Sequence, residues 1–219
     1  MRGSDIELSS AARRAFLAHC SALALPTMAQ GPSPTATLLV VGDSLSAEYG
    51  LERGRGWVAL LAARVAREKL APKVVNASIS GDTTAGGRSR LPALLALHKP
   101  RWVLIELGGN DALRGLPLAS TQANLTAMAG AAKAAGAQVL IIGMAVPPNY
   151  GRLYGEDFIA LFAKVAKAQG AALVPFLLAG VADVPNADAL FQADRIHPKA
   201  EAHPRMLNNV WPVLRPLLH

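Results

Sequence analysis

The stretch VVGDSLSAEYG, residues 40–50, decides how this chain is read, because an apolar run stops abruptly at Gly42, Asp43 and Ser44. These three residue types are favoured where a strand hands over to a helix, so Asp43 and Ser44 suit turn and cap positions. The same place suits a nucleophile held at the end of a buried strand. A serine hydroxyl attacks a carbonyl only when a base takes its proton, so the choice between cap and nucleophile rests on partners elsewhere in the chain.

Outward from this stretch, apolar or β-branched runs recur at TLLVVG (37–42), KVVNAS (73–78), WVLIELG (102–108) and QVLIIGM (138–144), with a weaker one at ALVPFLL (172–178). Helical spacing of apolar residues separates them in GWVALLAARVAREKLA (56–71), AGGRSRLPALLALH (85–98), LASTQANLTAMAGAAKAAG (118–136) and DFIALFAKVAKAQG (157–170). Strands alternating with helices predict βαβ units, hence an α/β fold: a three-layer α/β/α sandwich around a parallel sheet, flavodoxin-like in kind. In such sheets ligands bind beyond the carboxyl ends of the strands. GDSLS follows the first strand, ASISGDTTAGG the second and LGGND the third, so each informative motif falls at such an end.

Composition narrows the function classes. A chain of 219 residues with 52% hydrophobic residues is long enough for one sizeable core and is not a disordered polymer. The net charge of +7 is spread singly or in pairs, and aromatic residues make up only 5%, a pattern that argues against nucleic acid as partner. The lone Cys20 excludes an intramolecular disulfide framework and any multi-cysteine metal site. Arg13 and Arg14 precede the short apolar run AFLAHCSALALP and then TMAQG, the layout of a secretory signal. That run falls short of the ~20 apolar residues a membrane span requires, so no stable membrane insertion is expected. MRGSDIEL reads as an added leader; residues 1–33 are therefore set aside as leader and signal-like segment, and residues 34–219 are expected to form a single domain, periplasmic or secreted.

The base for Ser44 is sought among five histidines. His98 precedes Lys99 and Pro100 at a helix end, where a basic side chain suits the dipole. His197 stands in ADRIHPKAEAH, three residues after Asp194, and Pro198 suits the first position of a following helix. So short a loop can set a carboxylate beside an imidazole, which fixes its tautomer and stabilises the imidazolium; a loop aspartate and a cap-position histidine are the other reading. Glu201 and His203 also invite a metal reading through H-x-x-x-E-x-H, but no third well-spaced ligand is evident beside these two, and no metal is expected. Backbone N–H groups of Ser44 and Gly81 and the amide of Asn110, each from a strand-end loop, are candidates to hold an oxyanion.

GDSLS, SISGDT, LGGND and the DxxH of DRIH, in this order, resemble the four blocks of the SGNH (GDSL) hydrolases. GDSLSA, VVNASISGDT, RLPALL, PRWVLIELGGND, PPNYG and IHP are similar to the bacterial acyl-CoA thioesterase, lysophospholipase and arylesterase group of that family. The resemblance implies Ser44 as nucleophile, His197 as base and acid, Asp194 as orienting carboxylate and Ser44, Gly81 and Asn110 as oxyanion donors. It implies small acyl esters or thioesters as substrates, contacts from Leu113, Asn149 and Tyr150, and no cofactor. Asp43 is expected to organise the nucleophile loop, and Gly86 and Gly87 either to let the loop before them move or to mark only a helix entry. Carbohydrate acetyl esters are the rival substrate class, and a non-catalytic flavodoxin-like module the rival from outside catalysis. Two departures stand out: Glu48 and Arg195 occupy positions where relatives often carry glycine, and they add opposite charges near the predicted site.

Overall fold

Alternation within each strand assigns its side chains to two faces, and the computed structural model, which describes residues 36–70 and 72–218, shows both faces covered. Five strands, β1 (Thr37–Gly42), β2 (Lys73–Asn76), β3 (Trp102–Glu106), β4 (Gln138–Ile142) and β5 (Ala172–Val174), pair in parallel in the order β2-β1-β3-β4-β5. Leu39, Val41, Val103, Ile105, Val139 and Ile141 face helices α2 (Thr84–His98), α4 (Leu118–Ala134) and α5 (Arg152–Gln169). Their neighbours Leu38, Val40, Trp102, Leu104, Leu140 and Ile142 face α1 (Trp57–Arg67) and α6 (His203–Leu214). This is the expected three-layer sandwich with a parallel sheet. The elements form one compact unit, Pro34–His219; the expectation of a leader and signal over residues 1–33 lies outside the described residues.

Several boundaries differ from the sequence reading, each for a local reason. The second, third and fourth strands stop at Asn76, Glu106 and Ile142, where the chain turns into loops, although the Ala77 and Ile79 N–H groups still donate to the Val40 and Gly42 carbonyls. Of ALVPFLL only Ala172–Val174 pairs, because Pro175 carries no N–H for the ladder. Helix α5 starts at Arg152, directly after Gly151 at φ 89°, rather than at Asp157. A short helix, α3 (Gly109–Leu113), forms inside the GGND segment, where too few residues lie for any period to register.

Of the two readings of Gly86 and Gly87, the structure shows the helix entry. Both lie in the first turn of α2, where the Thr83 hydroxyl accepts from the Gly86 N–H, and a Cβ on Gly87 would stand 2.3 Å from Leu107 Cδ1. Close packing of helix on sheet requires a glycine there. The reading of Pro198 is corrected: it bridges antiparallel to Phe191, and the following helix starts at His203 with Pro204 in its first turn.

Candidate active site

Strand β1 delivers Ser44 to the sheet edge through a glycine with no room for a side chain, since a Cβ on Gly42 would lie 2.6 Å from Glu106 Oε2. Asp43 turns inward, fully buried. Its Oδ1 accepts from the Leu45 N–H at 3.0 Å and its Oδ2 from Asn110 Nδ2 at 3.0 Å, so it ties the Ser44 loop to α3. The N–H of Thr84, at the start of α2, donates at 2.8 Å to Asp111, which joins the loop after β2 to the same short helix. Arg114 Nη2 donates to the Gly81 carbonyl at 2.7 Å, and Gly81 itself stands at φ 78°, the left-handed region that favours glycine.

The histidine arrives from the opposite end of the chain. Asp194 Oδ1 accepts from the backbone N–H groups of Ile196 at 2.9 Å and His197 at 3.0 Å, which folds DRIH into a tight turn. The turn brings Asp194 Oδ2 to 2.7 Å from His197 Nδ1, and His197 Nε2 lies 2.8 Å from Ser44 Oγ. An Nδ1–H held by the carboxylate leaves Nε2 as acceptor for the serine hydroxyl. The Tyr49 ring lies over the imidazole with centroids 4.3 Å apart. Gln192 Nε2 donates to the Tyr49 carbonyl at 3.0 Å and locks that loop to the histidine loop.

Ser44, Asp194 and His197 are thus joined as the sequence suggested, and the family model for GDSL-like lipase/acylhydrolases matches residues 40–205, the span that holds all three. The chain belongs to this GDSL family. It is 54% identical over 206 residues to Esterase TesA of Pseudomonas aeruginosa, covering 94% of this chain and 100% of that protein. It is 44% identical to the thioesterase 1/protease 1/lysophospholipase L1 of Escherichia coli over 84% of this chain and 85% of that protein. Among solved structures, the esterase EstA of Pseudoalteromonas, inhibited by monoethylphosphonate, superposes with a TM-score of 0.77 at 38% identity, over 83% of this chain and 98% of that one.

Beneath Ser44 of this GDSL chain lies a buried polar network that the sequence reading missed. Glu106 is fully buried at the end of β3; Ser46 Oγ donates to its Oε2 at 2.5 Å and accepts from Trp57 Nε1 at 3.2 Å. The Trp57 N–H donates to Nδ1 of buried His203 at 3.0 Å, so His203 is a core histidine, pushed down by burial and therefore neutral. Among the described residues no cluster of three or more histidine, cysteine or acidic side chains is placed to hold a metal. His98 occupies the last turn of α2, as its dipole reading expects.

The charges around Ser44 are set by burial. Desolvation pushes Glu106 well above the carboxylate range, and the neighbouring Asp43 charge adds to it. Burial likewise lifts Asp43 to about 7, against the opposing hydrogen bonds from Leu45 and Asn110. Asp194 goes the other way, to about 2, chiefly through the His197 backbone N–H. A raised carboxyl holds its proton in the folded chain after the unfolded chain has released it, so Asp43 makes stability fall as pH rises from 3.8 to about 7. Urea midpoints for wild type and Asp43→Asn should therefore converge or cross over that window, the mutant losing less. Parallel curves would mean that Asp43 titrates alike in both states.

Of the three residues assigned to substrate, Leu113 ends α3 and is 48% exposed, Asn149 is exposed on the turn Pro148–Tyr150, and Tyr150 stacks 6.0 Å from Tyr154. Tyr49, Ile79 and Ile196 are exposed too, each on a loop that carries part of the site. An apolar residue inside a loop motif has no period to mark it. Glu48 and Arg195 both stand in left-handed backbone, φ 61° and 59°, which explains why glycine suits these positions. The Glu48 carboxylate accepts from the N–H groups of Gly54 at 3.0 Å and Gly56 at 2.8 Å; Arg195 pairs loosely with Asp188 at 3.8 Å.

Proposed function

We propose that Ser44, His197 and Asp194 form the catalytic triad of this chain and that it cleaves small acyl esters and thioesters through an acyl-Ser44 intermediate. The chain is a GDSL-type serine hydrolase of ester and thioester bonds. The observation that carries the residue roles is the unbroken chain of hydrogen bonds, Asp194 to His197 at 2.7 Å and His197 to Ser44 at 2.8 Å.

Ser44 Oγ attacks the carbonyl carbon as its proton passes to His197 Nε2, and the carbonyl π electrons move onto oxygen. The N–H groups of Ser44 and Gly81 and the Asn110 amide receive that charge. Asn110 has two N–H bonds on Nδ2; Asp43 takes one and orients the other toward the oxyanion. Collapse of the tetrahedral adduct expels an alcohol or thiol, which takes the proton from His197. Water then attacks the acyl-enzyme by the same route and releases the acid. Leu113, Asn149 and Tyr150 contact the acyl group or its leaving group, and the exposed Tyr49, Ile79 and Ile196 supply apolar surface at the mouth. The arginine-led apolar segment at residues 13–25 supports a periplasmic or secreted location; among the described residues no helix is long and apolar enough to cross a membrane.

A fluorophosphonate probe tests the reading: peptide mapping should place the label on Ser44, and a label elsewhere overturns it. Asn110→Ala should lower kcat by about 10²–10³-fold with KM changed far less, the usual scale for one oxyanion donor. If Asn110 only shapes the turn, melting temperature falls while kcat per folded molecule stays normal.

A further inference from the structure

Arg90 lies on α2 and contacts none of the three residues of the triad, yet its guanidinium is the joint between two strand-end loops. Side chains on a helix lean toward its N-terminus, so Arg90 reaches back from the second turn to the sheet edge. There Nε donates to Asp82 Oδ2 at 2.7 Å, Nη1 donates to the Ala77 carbonyl, and Nη2 lies 3.4 Å from the Gly42 carbonyl. The side chain is only 20% exposed. Gly42 stands two residues before Ser44, and Asp82 directly follows Gly81. The Gly42 carbonyl is further tied to the second loop by the Ile79 N–H at 3.0 Å.

We infer that Arg90 is a positioning residue that sets the separation between the Ser44 and Gly81 backbone N–H groups, and through it the fit of the oxyanion hole. The inference rests on the roles proposed above for Ser44 and Gly81. Three acceptors spread over two loops require a planar fork of donors; an ammonium on a flexible stem keeps the charge pair with Asp82 but cannot span both carbonyls. A developing oxyanion is sensitive to such spacing, since a displacement of ~1 Å remote from the reacting atoms costs up to ~10²-fold in rate. Bound substrate, whose carbonyl is neutral, is much less sensitive. The loss therefore falls on kcat.

The test measures kcat and KM on a short aryl ester, the inactivation rate by a fluorophosphonate, and the melting temperature, for wild type, Arg90→Lys and Arg90→Gln. Leu95→Ala, which opens a hole on the same helix away from the sheet edge, serves as stability control. The expected result is a fall in kcat of roughly tenfold for Arg90→Lys and up to ~10²-fold for Arg90→Gln, with KM within about threefold and inactivation slowed in parallel. Leu95→Ala should melt lower yet keep wild-type kcat per folded molecule. Wild-type kcat per folded molecule in both Arg90 variants, or a loss confined to KM, overturns the role of Arg90. Ser44→Ala in the same series separates the two readings: turnover retained there overturns the triad assignment, whereas an inactive Ser44→Ala beside fully active Arg90 variants overturns the Arg90 inference alone.

Discussion

Ser44→Ala should abolish ester hydrolysis, a loss on the order of 10⁶-fold in kcat by the scale seen when a serine nucleophile is removed from a triad. In the proposed mechanism the whole reaction passes through one oxygen, and among the described residues the side-chain hydrogen-bond partner of that oxygen is His197 Nε2, at 2.8 Å. Removal strands no buried donor or acceptor, because Ser44 is half-buried and the loop is held by Asp43, Ser46 and the glycine before them. The mutant should therefore fold and melt close to wild type. Circular dichroism melts and steady-state turnover on one preparation check this; more than a trace of turnover, insensitive to a fluorophosphonate, would refute the acyl-Ser44 pathway.

Asp194→Asn should be the next most damaging conservative change, by roughly 10⁴-fold in kcat. The carboxylate accepts three N–H bonds, two from backbone and one from the ring, and with its proton lost down to about 2 it is ionised throughout the working range. An asparagine keeps the turn by accepting the two backbone bonds through its carbonyl, but offers an N–H to Nδ1. The imidazole then carries its proton on Nε2, where it faces Ser44 and cannot receive one. KM should move little. The lowered value also fixes a sign: the carboxylate adds stability above 3.8, lost as pH falls through about 2, and Asp194→Asn removes that dependence. Near-normal kcat in the mutant would reduce Asp194 to a turn residue.

What could be read in advance follows physical lines. The order of the strands and the loops that follow them were legible, because apolar runs interrupted at Gly-Asp-Ser and Gly-Gly-Asn place these motifs at one edge of a parallel sheet, whereas the last residues of the strands were not. Asp194 and His197 were legible because three residues separate them, so their meeting is local. Glu106 was not: it reads as one polar residue closing WVLIE, and only the tertiary fold shows it buried beneath Ser46. Arg90 was hidden for a different reason, since two of its three acceptors are main-chain carbonyls, which have no letter in a sequence. Pro198 misled because proline favours both a helix start and a bridge without an N–H, and the Phe191 pairing decided for the second.

The tight turn from Asp194 to His197 has a consequence for how the pair stays aligned. An orienting carboxylate and its imidazole can be drawn from distant stretches, each free to drift against the other. Here the carboxylate grips the backbone of the same few residues whose ring it orients, so any excursion of this segment carries both groups as one piece. In the proposed triad, a displacement of this segment would break and remake a single contact among the three residues, the one between imidazole and hydroxyl. The proton acceptor thus returns already aligned and in the right tautomer, ready for the next turnover.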